Sequence, residues 1–386
     1  MLKRVITICF LLNIKWVAFA QLQSPNVLPI SINDDNDFSG YELIKTKNVN
    51  LFALGEHWHN IKSVPKATLK LLKYLNQHAD VTILAIEQGK SVAWMINNYL
   101  ESGDETMLAH ITRNTMFWAQ EHRTFFKELR NYNLDLPAER KITVKSIDIE
   151  YKMESAVFVI NQLIGENPVP DELSLTIKEF QRIYEETKKE RESYEGIAFM
   201  YYYDRDFIQE LISRTINDLE EKSQLYIDFF GASFTDFATM ILEMDDGLTF
   251  DYTNPNQNYK FRDQLIYKNF VELVEEFPAS GILCPIGMRH VERGSSIYNL
   301  KTRFNSPLKE QVSIIRISAL YNKAINAGDL KRVNYNYPKQ LKKNSATIIY
   351  HQDEDKFLRS KKYDYTIFIN ENGSLSPFEK VLTERY

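Results

Sequence analysis

Apolar positions divide the chain into strand-like and helix-like stretches. Asn50 to Gly55 reads as a buried strand, and Val64 to His78 carries apolar residues at helical spacing. Val81 to Ile86 is β-branched and apolar on both faces, as expected of a central strand in a parallel sheet covered on both sides, and it ends at Glu87. Helical patterns follow over roughly 90–101, 104–111 and 114–133. A third strand, Ile142 to Ile147, ends at Asp148. From 151 to 276 strand-like runs are scarce, and charged amphipathic stretches such as Asp171 to Glu192 and Asp204 to Lys222 predominate. Strands resume with Ile282 to Ile286, Val312 to Ile317, Thr347 to Tyr350 and Tyr365 to Asn370. Strands alternating with helices predict an α/β fold: a central, mostly parallel sheet flanked by helices. Its core is expected from residues 21–150 and 277–386, with 151–276 as a largely helical insertion lobe.

The first twenty residues stand apart from this pattern. Met1-Leu2-Lys3-Arg4 is a positive n-region, Val5 to Ile14 a short apolar stretch, and Ala18-Phe19-Ala20 a small-residue cleavage signal, so residues 1–20 read as a secretory signal peptide. Lys15 interrupts the apolar run well short of the roughly 20 residues that a bilayer span needs. No later segment reads as transmembrane, which predicts an exported protein, periplasmic or secreted, without a membrane span after cleavage. Across all 386 residues Lys+Arg is 47 against Asp+Glu 52, a net charge of -5, and the signal removes only bases. That balance gives no basic tract to neutralise phosphates, so the partner expected is a small-molecule substrate and not nucleic acid. Of the two cysteines, Cys9 leaves with the signal, and Cys284 lies in an apolar run where a small core residue is expected.

Chemistry enters at the strand ends. In open α/β sheets the carboxyl ends of the strands line the ligand crevice. Four of the predicted strands run into Gly55-Glu56-His57-Trp58-His59, Glu87, Asp148 and Gly287-Met288-Arg289-His290, bringing Glu56, His57, His59, Glu87, Asp148, Arg289 and His290 towards one edge. Histidines with nearby carboxylates can activate water, protonate a leaving group or bind a divalent metal. Ionisable groups at four strand ends are costly for a core to hold without a site. The helix predicted over Arg113 to Asn133 adds Trp118 and Glu121, three positions apart and so on one face. His78, His110, His122 and His351 lack such a context and read as surface or structural residues. The aromatic run Phe199 to Tyr203 reads as helix packing, with a hydrophobic substrate wall as the other possibility.

At these residues the sequence resembles the erythromycin esterase-like family, within a broader set that includes ChaN-like haem-uptake and Tiki-like proteins. Gly55-Glu56-His57-Trp58-His59 is similar to the family's G-E-x-x-H, and Ile86-Glu87 to its strand-ending glutamate. Trp118 to Glu121, followed by Leu129-Arg130-Asn131-Tyr132-Asn133, resembles its W-x-x-E helix; Asp148 fits the next strand-end aspartate, and Gly287 to Val291 its second histidine segment. The resemblance implies ester hydrolysis by activated water, with His59 as base, Glu87 and Glu56 supporting it, and His290 positioning water or stabilising the oxyanion. Lys62, Trp118, Glu121, Asp148 and Arg289 would contact substrate. Lys62 stands where the family often has Arg, and an ammonium lacks the bidentate fork of a guanidinium, so the substrate is left open. Two alternatives remain: an extracytoplasmic haem- or metal-binding protein of the ChaN-like kind, and a Tiki-like metal-dependent peptidase. The residues suit either no cofactor or a divalent metal.

Overall fold

A computed structural model of the protein describes residues 27–56, 61–150, 153–193, 205–249, 255–319, 346–351 and 363–370. The described strands form one mixed, mostly parallel sheet, β1 (Val27–Ile30), β2 (Leu51–Glu56), β3 (Val81–Ile86), β4 (Thr143–Ser146), β5 (Gly281–Gly287), β6 (Val312–Ala319), β7 (Ala346–Tyr350) and β8 (Tyr365–Ile369). Their spatial order is β1-β7-β8-β6-β2-β5-β3-β4. From β8 to β4 every neighbouring pair is parallel, whereas β7 runs antiparallel to β8 and β1 antiparallel to β7. The expected strands are found to within a residue or two. The exception is β1, a four-residue edge with Pro29 in it, too short to show a period and placed where proline is tolerated. The α/β architecture is therefore the one that the strand and helix patterns predict.

β2 lies in the middle, flanked by β5 and β6 in parallel register, Gly55 opposite Ile286 and Arg316. Alternation along the central strands divides the core in two. Phe52, Leu54, Leu84 and Ile86 point into one layer, while Leu51, Ala53, Ile83, Ala85, Ile282 and Cys284 point into the other. The first layer is covered by α1 (Val64–His78), α2 (Lys90–Ser102), α3 (Glu105–Asn114), α4 (Gln120–Leu134), and then α5 (Met153–Ile164), α6 (Ser174–Ser193), α7 (Arg205–Glu221), α8 (Ser223–Phe230) and α9 (Phe234–Leu248). Phe158, Phe180, Leu211, Tyr226 and Phe237 of this helical stretch share one apolar cluster with Phe52 and Leu54. The second layer is covered by α10 (Pro255–Glu276) and α11 (Ser296–Thr302) through Ile266, Phe270, Ile297 and Leu300. Ser223–Leu248 is long and apolar enough to cross a membrane by length and composition, but it breaks at Gly231 and buries Phe230, Phe237, Met240 and Met244 in the main cluster. The run Phe199 to Tyr203 lies outside the described residues.

One expectation is corrected. The spacing predicts a single helix carrying Trp118 and Glu121 on one face, but α3 ends at Asn114 and α4 begins at Gln120. Thr115 causes the break: its hydroxyl donates to the Ile111 carbonyl at 2.6 Å and accepts from the Phe117 amide at 3.0 Å, so local side-chain bonds replace the helical ladder. Trp118 therefore precedes α4 and shares no helical face with Glu121.

The strand ends are held in place by close backbone approaches. Gly247 of α9 sits so near the Glu150 backbone that a Cβ there would lie 1.9 Å from the Glu150 carbonyl oxygen. This contact fixes the chain two residues beyond Asp148. Gly247→Ala must push backbone apart, not a flexible side-chain tip, and is expected to cost about 1–3 kcal/mol, read as a lower urea midpoint with an unchanged slope.

Candidate functional site

The carboxyl ends of β3, β4 and β5 and one face of α10 enclose a buried charged cluster. Glu87 follows β3 and Asp148 follows β4; both side chains are almost wholly buried. Arg262 of α10 reaches in from the second layer, its Nε 2.9 and 3.0 Å from the two Asp148 carboxylate oxygens and its Nη2 2.7 Å from Glu87 Oε1. Nη2 also donates to Asp148 Oδ2. The remaining Glu87 oxygen accepts the Gly287 amide at 2.6 Å, at the point where β5 gives way to a tight helical turn over Met288–Val291. Gly55 allows that turn to lie on β2, since a Cβ there would stand 2.7 Å from a Val291 methyl.

The turn buries His290 between two carboxylates. Its Nδ1 lies 2.9 Å from Asp263 Oδ1 and its Nε2 3.3 Å from Glu87 Oε1. A neutral imidazole carries one N–H, but both ring nitrogens here face acceptors, so the doubly protonated cation fits best. Burial alone would lower the imidazole pKa; the hydrogen bonds to Asp263 and Glu87 outweigh it and raise it from 6.5 to about 9. Glu87 is the converse. Burial would raise its carboxyl, but the hydrogen bond from His290, the charges of Arg262 and His290, and the Gly287 amide hold it well below the ordinary carboxylate range. Tyr259, one turn before Asp263, stacks on the His290 ring with centroids 5.1 Å apart, and the guanidinium of the exposed Arg289 lies over the Tyr259 ring at 4.2 Å from its centroid. The Tyr259 hydroxyl is buried without a hydrogen-bond partner among the described residues, and burial and the Asp263 charge push its pKa up.

A pocket opens beside the cluster on the first-layer side, spanning about 700 Å³ of atom-free space that includes open solvent at its mouth. Glu56 and Glu87 stand at its sheet end, and α1, α4 and the Met116–Phe117 segment form its walls. Of the predicted site residues, Glu87, Asp148 and His290 come together in the charged cluster, with Arg289 at its rim, and Glu56 joins Glu87 at the pocket. Lys62 and Glu121 pair with each other at 3.9 Å and line neither feature. Trp118 does not line the pocket either. His59 lies outside the described residues. Among the described residues, no group of three or more His, Cys, Asp or Glu is arranged to hold a metal ion. Cys284 is a buried core residue, its thiol pushed up in pKa by burial.

Sequence reasoning missed Tyr259, Arg262 and Asp263. Their signal was present: Ile266, Phe270 and Leu273 form the buried stripe of α10, and stepping back one turn at a time places 262, 263 and 259 on that same face. Polar residues continuing a buried apolar stripe mark a lined site. His122, read as structural, lies on the pocket wall.

No family model matches the chain, and no curated protein matches it. Solved structures do. A mutant of the erythromycin esterase EreC in its open conformation aligns with TM-score 0.60 and 12% identity over 92% of this chain and 99% of that one. A succinoglycan biosynthesis protein aligns with TM-score 0.61 and 14% identity over 91% and 96%. A protein from Bacillus cereus aligns with TM-score 0.57 and 16% identity over the same shares, 91% and 96%. At these identities what the chain shares with them is the fold.

Two outcomes test the cluster. Arg262→Met leaves two buried carboxylates without their main countercharge and is expected to cost about 3–5 kcal/mol at neutral pH by chemical denaturation. His290 binds its proton more tightly folded than unfolded, so its contribution is complete below pH 6.5 and is lost as pH rises through about 9. Melting temperatures across that window should fall more steeply for the wild type than for His290→Gln.

Proposed function

We propose that the protein is an exported hydrolase of ester bonds, similar in chemistry to erythromycin esterases, in which a histidine–glutamate pair activates water. The observation that carries this reading is His290, held as a cation between Glu87 and Asp263 at the strand ends. Both of its N–H groups are taken by Asp263 and Glu87, so the buried imidazolium acts through its charge, favouring beside Glu87 the oxyanion that forms when water adds to an ester carbonyl. His59, from the G-E-x-x-H resemblance, is assigned as the base that takes the water proton and returns it to the departing alkoxide. Glu87 pairs with His290 and, by the motif resemblance, is assigned to support His59, while His290, Arg262 and the Gly287 amide keep Glu87 ionised. The fold likeness to EreC and the ordered motifs both support the hydrolase class, and the leader-like first twenty residues support export.

The test is turnover on a panel of neutral esters with and without chelator. His59→Ala should abolish hydrolysis, and His290→Asn should lower kcat about 10²–10³-fold with the fold retained. Activity should also decline as pH passes about 9, when His290 loses its proton. Hydrolysis at wild-type rates by either variant, or none by the wild type, would overturn the assignment. Activity lost to chelator and restored by metal would make it a metallohydrolase instead.

A further inference from the structure

The pocket beside the charged cluster has a chemistry of its own. Phe117 packs edge-on against Phe126 with centroids 5.2 Å apart, Phe125 meets Phe126 in the same way at 5.2 Å, and His122 stands edge-on to Phe117 at 5.4 Å. All four line the pocket, with neighbouring rings set nearly perpendicular to one another. That surface favours a flat aromatic group over a flexible chain. The ionisable lining gives the second constraint. Among the described lining residues Glu56 and Glu87 are the acids, and none is Lys or Arg. Arg262, the cation nearest Glu87, is held by Asp148 and Glu87 on the far layer. A carboxylate or phosphate entering this pocket would lose its hydration and face the carboxylates of Glu56 and Glu87, with no lysine or arginine among the described lining residues.

We propose that this pocket binds the uncharged aromatic group of an aryl-bearing ester substrate, presenting the ester carbonyl at the Glu56–Glu87 end. This rests on the hydrolase reading for the ester alone; the selection of a neutral aromatic group follows from the pocket. Glu87 joins the two features, since it lines the pocket and pairs with His290.

The experiment has a binding arm and a kinetic arm. In calorimetric titration, the purified full chain should bind phenylacetamide, and phenylacetate at least tenfold more weakly. Met116→Trp, which fills the pocket from its wall, should lower phenylacetamide affinity by tenfold or more. In kinetics, the same variant should reduce the kcat/KM preference for a phenylacetyl ester over the matching acetyl ester by about tenfold. Phenylacetamide binding without hydrolysis of any ester would sink the hydrolase reading and leave the pocket assignment standing. Phenylacetate binding as tightly as the amide, no binding of the amide by wild type, or an unchanged ester preference in Met116→Trp would overturn the pocket assignment, whatever the protein hydrolyses.

Discussion

Arg262 is the constraint around which the strand ends are organised. Asp148 and Glu87 emerge side by side from adjacent parallel strands into a space closed off from water, where a buried pair of acidic side chains calls for a cationic partner. A guanidinium suits the position because its fork meets Asp148 with one edge and reaches Glu87 with Nη2. Once Glu87 is ionised, it and Asp263 hold His290 protonated, and the imidazolium in turn holds Glu87 down. The groups of the cluster thus support one another's charge states. Burying such a set is not by itself a gain in stability, since apolar replacement of a buried ion network is often neutral or stabilising.

Much of this was legible in the sequence because it depends on local pattern. β3 shows an unbroken apolar run since both its faces are covered, and its end is marked by Glu87, the first charged residue after it. The strand-end placement of Glu56, Glu87, Asp148 and His290 follows from that pattern and from the rule that parallel strands present their ends to one crevice. The hidden parts depend on tertiary contacts. Arg262 and Asp263 lie more than a hundred residues from Asp148 along the chain, in a helix whose overall charge resembles the solvated helices before it. Their facing direction emerges only once Ile266 and Phe270 are known to lie against Ile147 and Cys284. Trp118 was misplaced because helical spacing runs through it unbroken, whereas a single Thr115 hydroxyl ends the helix by taking its backbone bonds.

The two layers of the fold divide the work between them. Side chains alternate along a strand, so Glu56, in step with Phe52 and Leu54, faces the first layer, and Glu87, in step with Ile83 and Ala85, faces the second. The second layer supplies α10 and with it the charges that set proton positions; the first supplies α1, α4 and the aromatic walls. A sheet end is where these two environments meet without either having to penetrate the other. Charge can be concentrated on one side while the other stays apolar enough to strip water from a guest. Glu87, lying at the rim of β3, belongs to both. A change in the aromatic wall can therefore alter what is admitted with little effect on the charges that hold His290 protonated, whereas a change at Arg262 must disturb both.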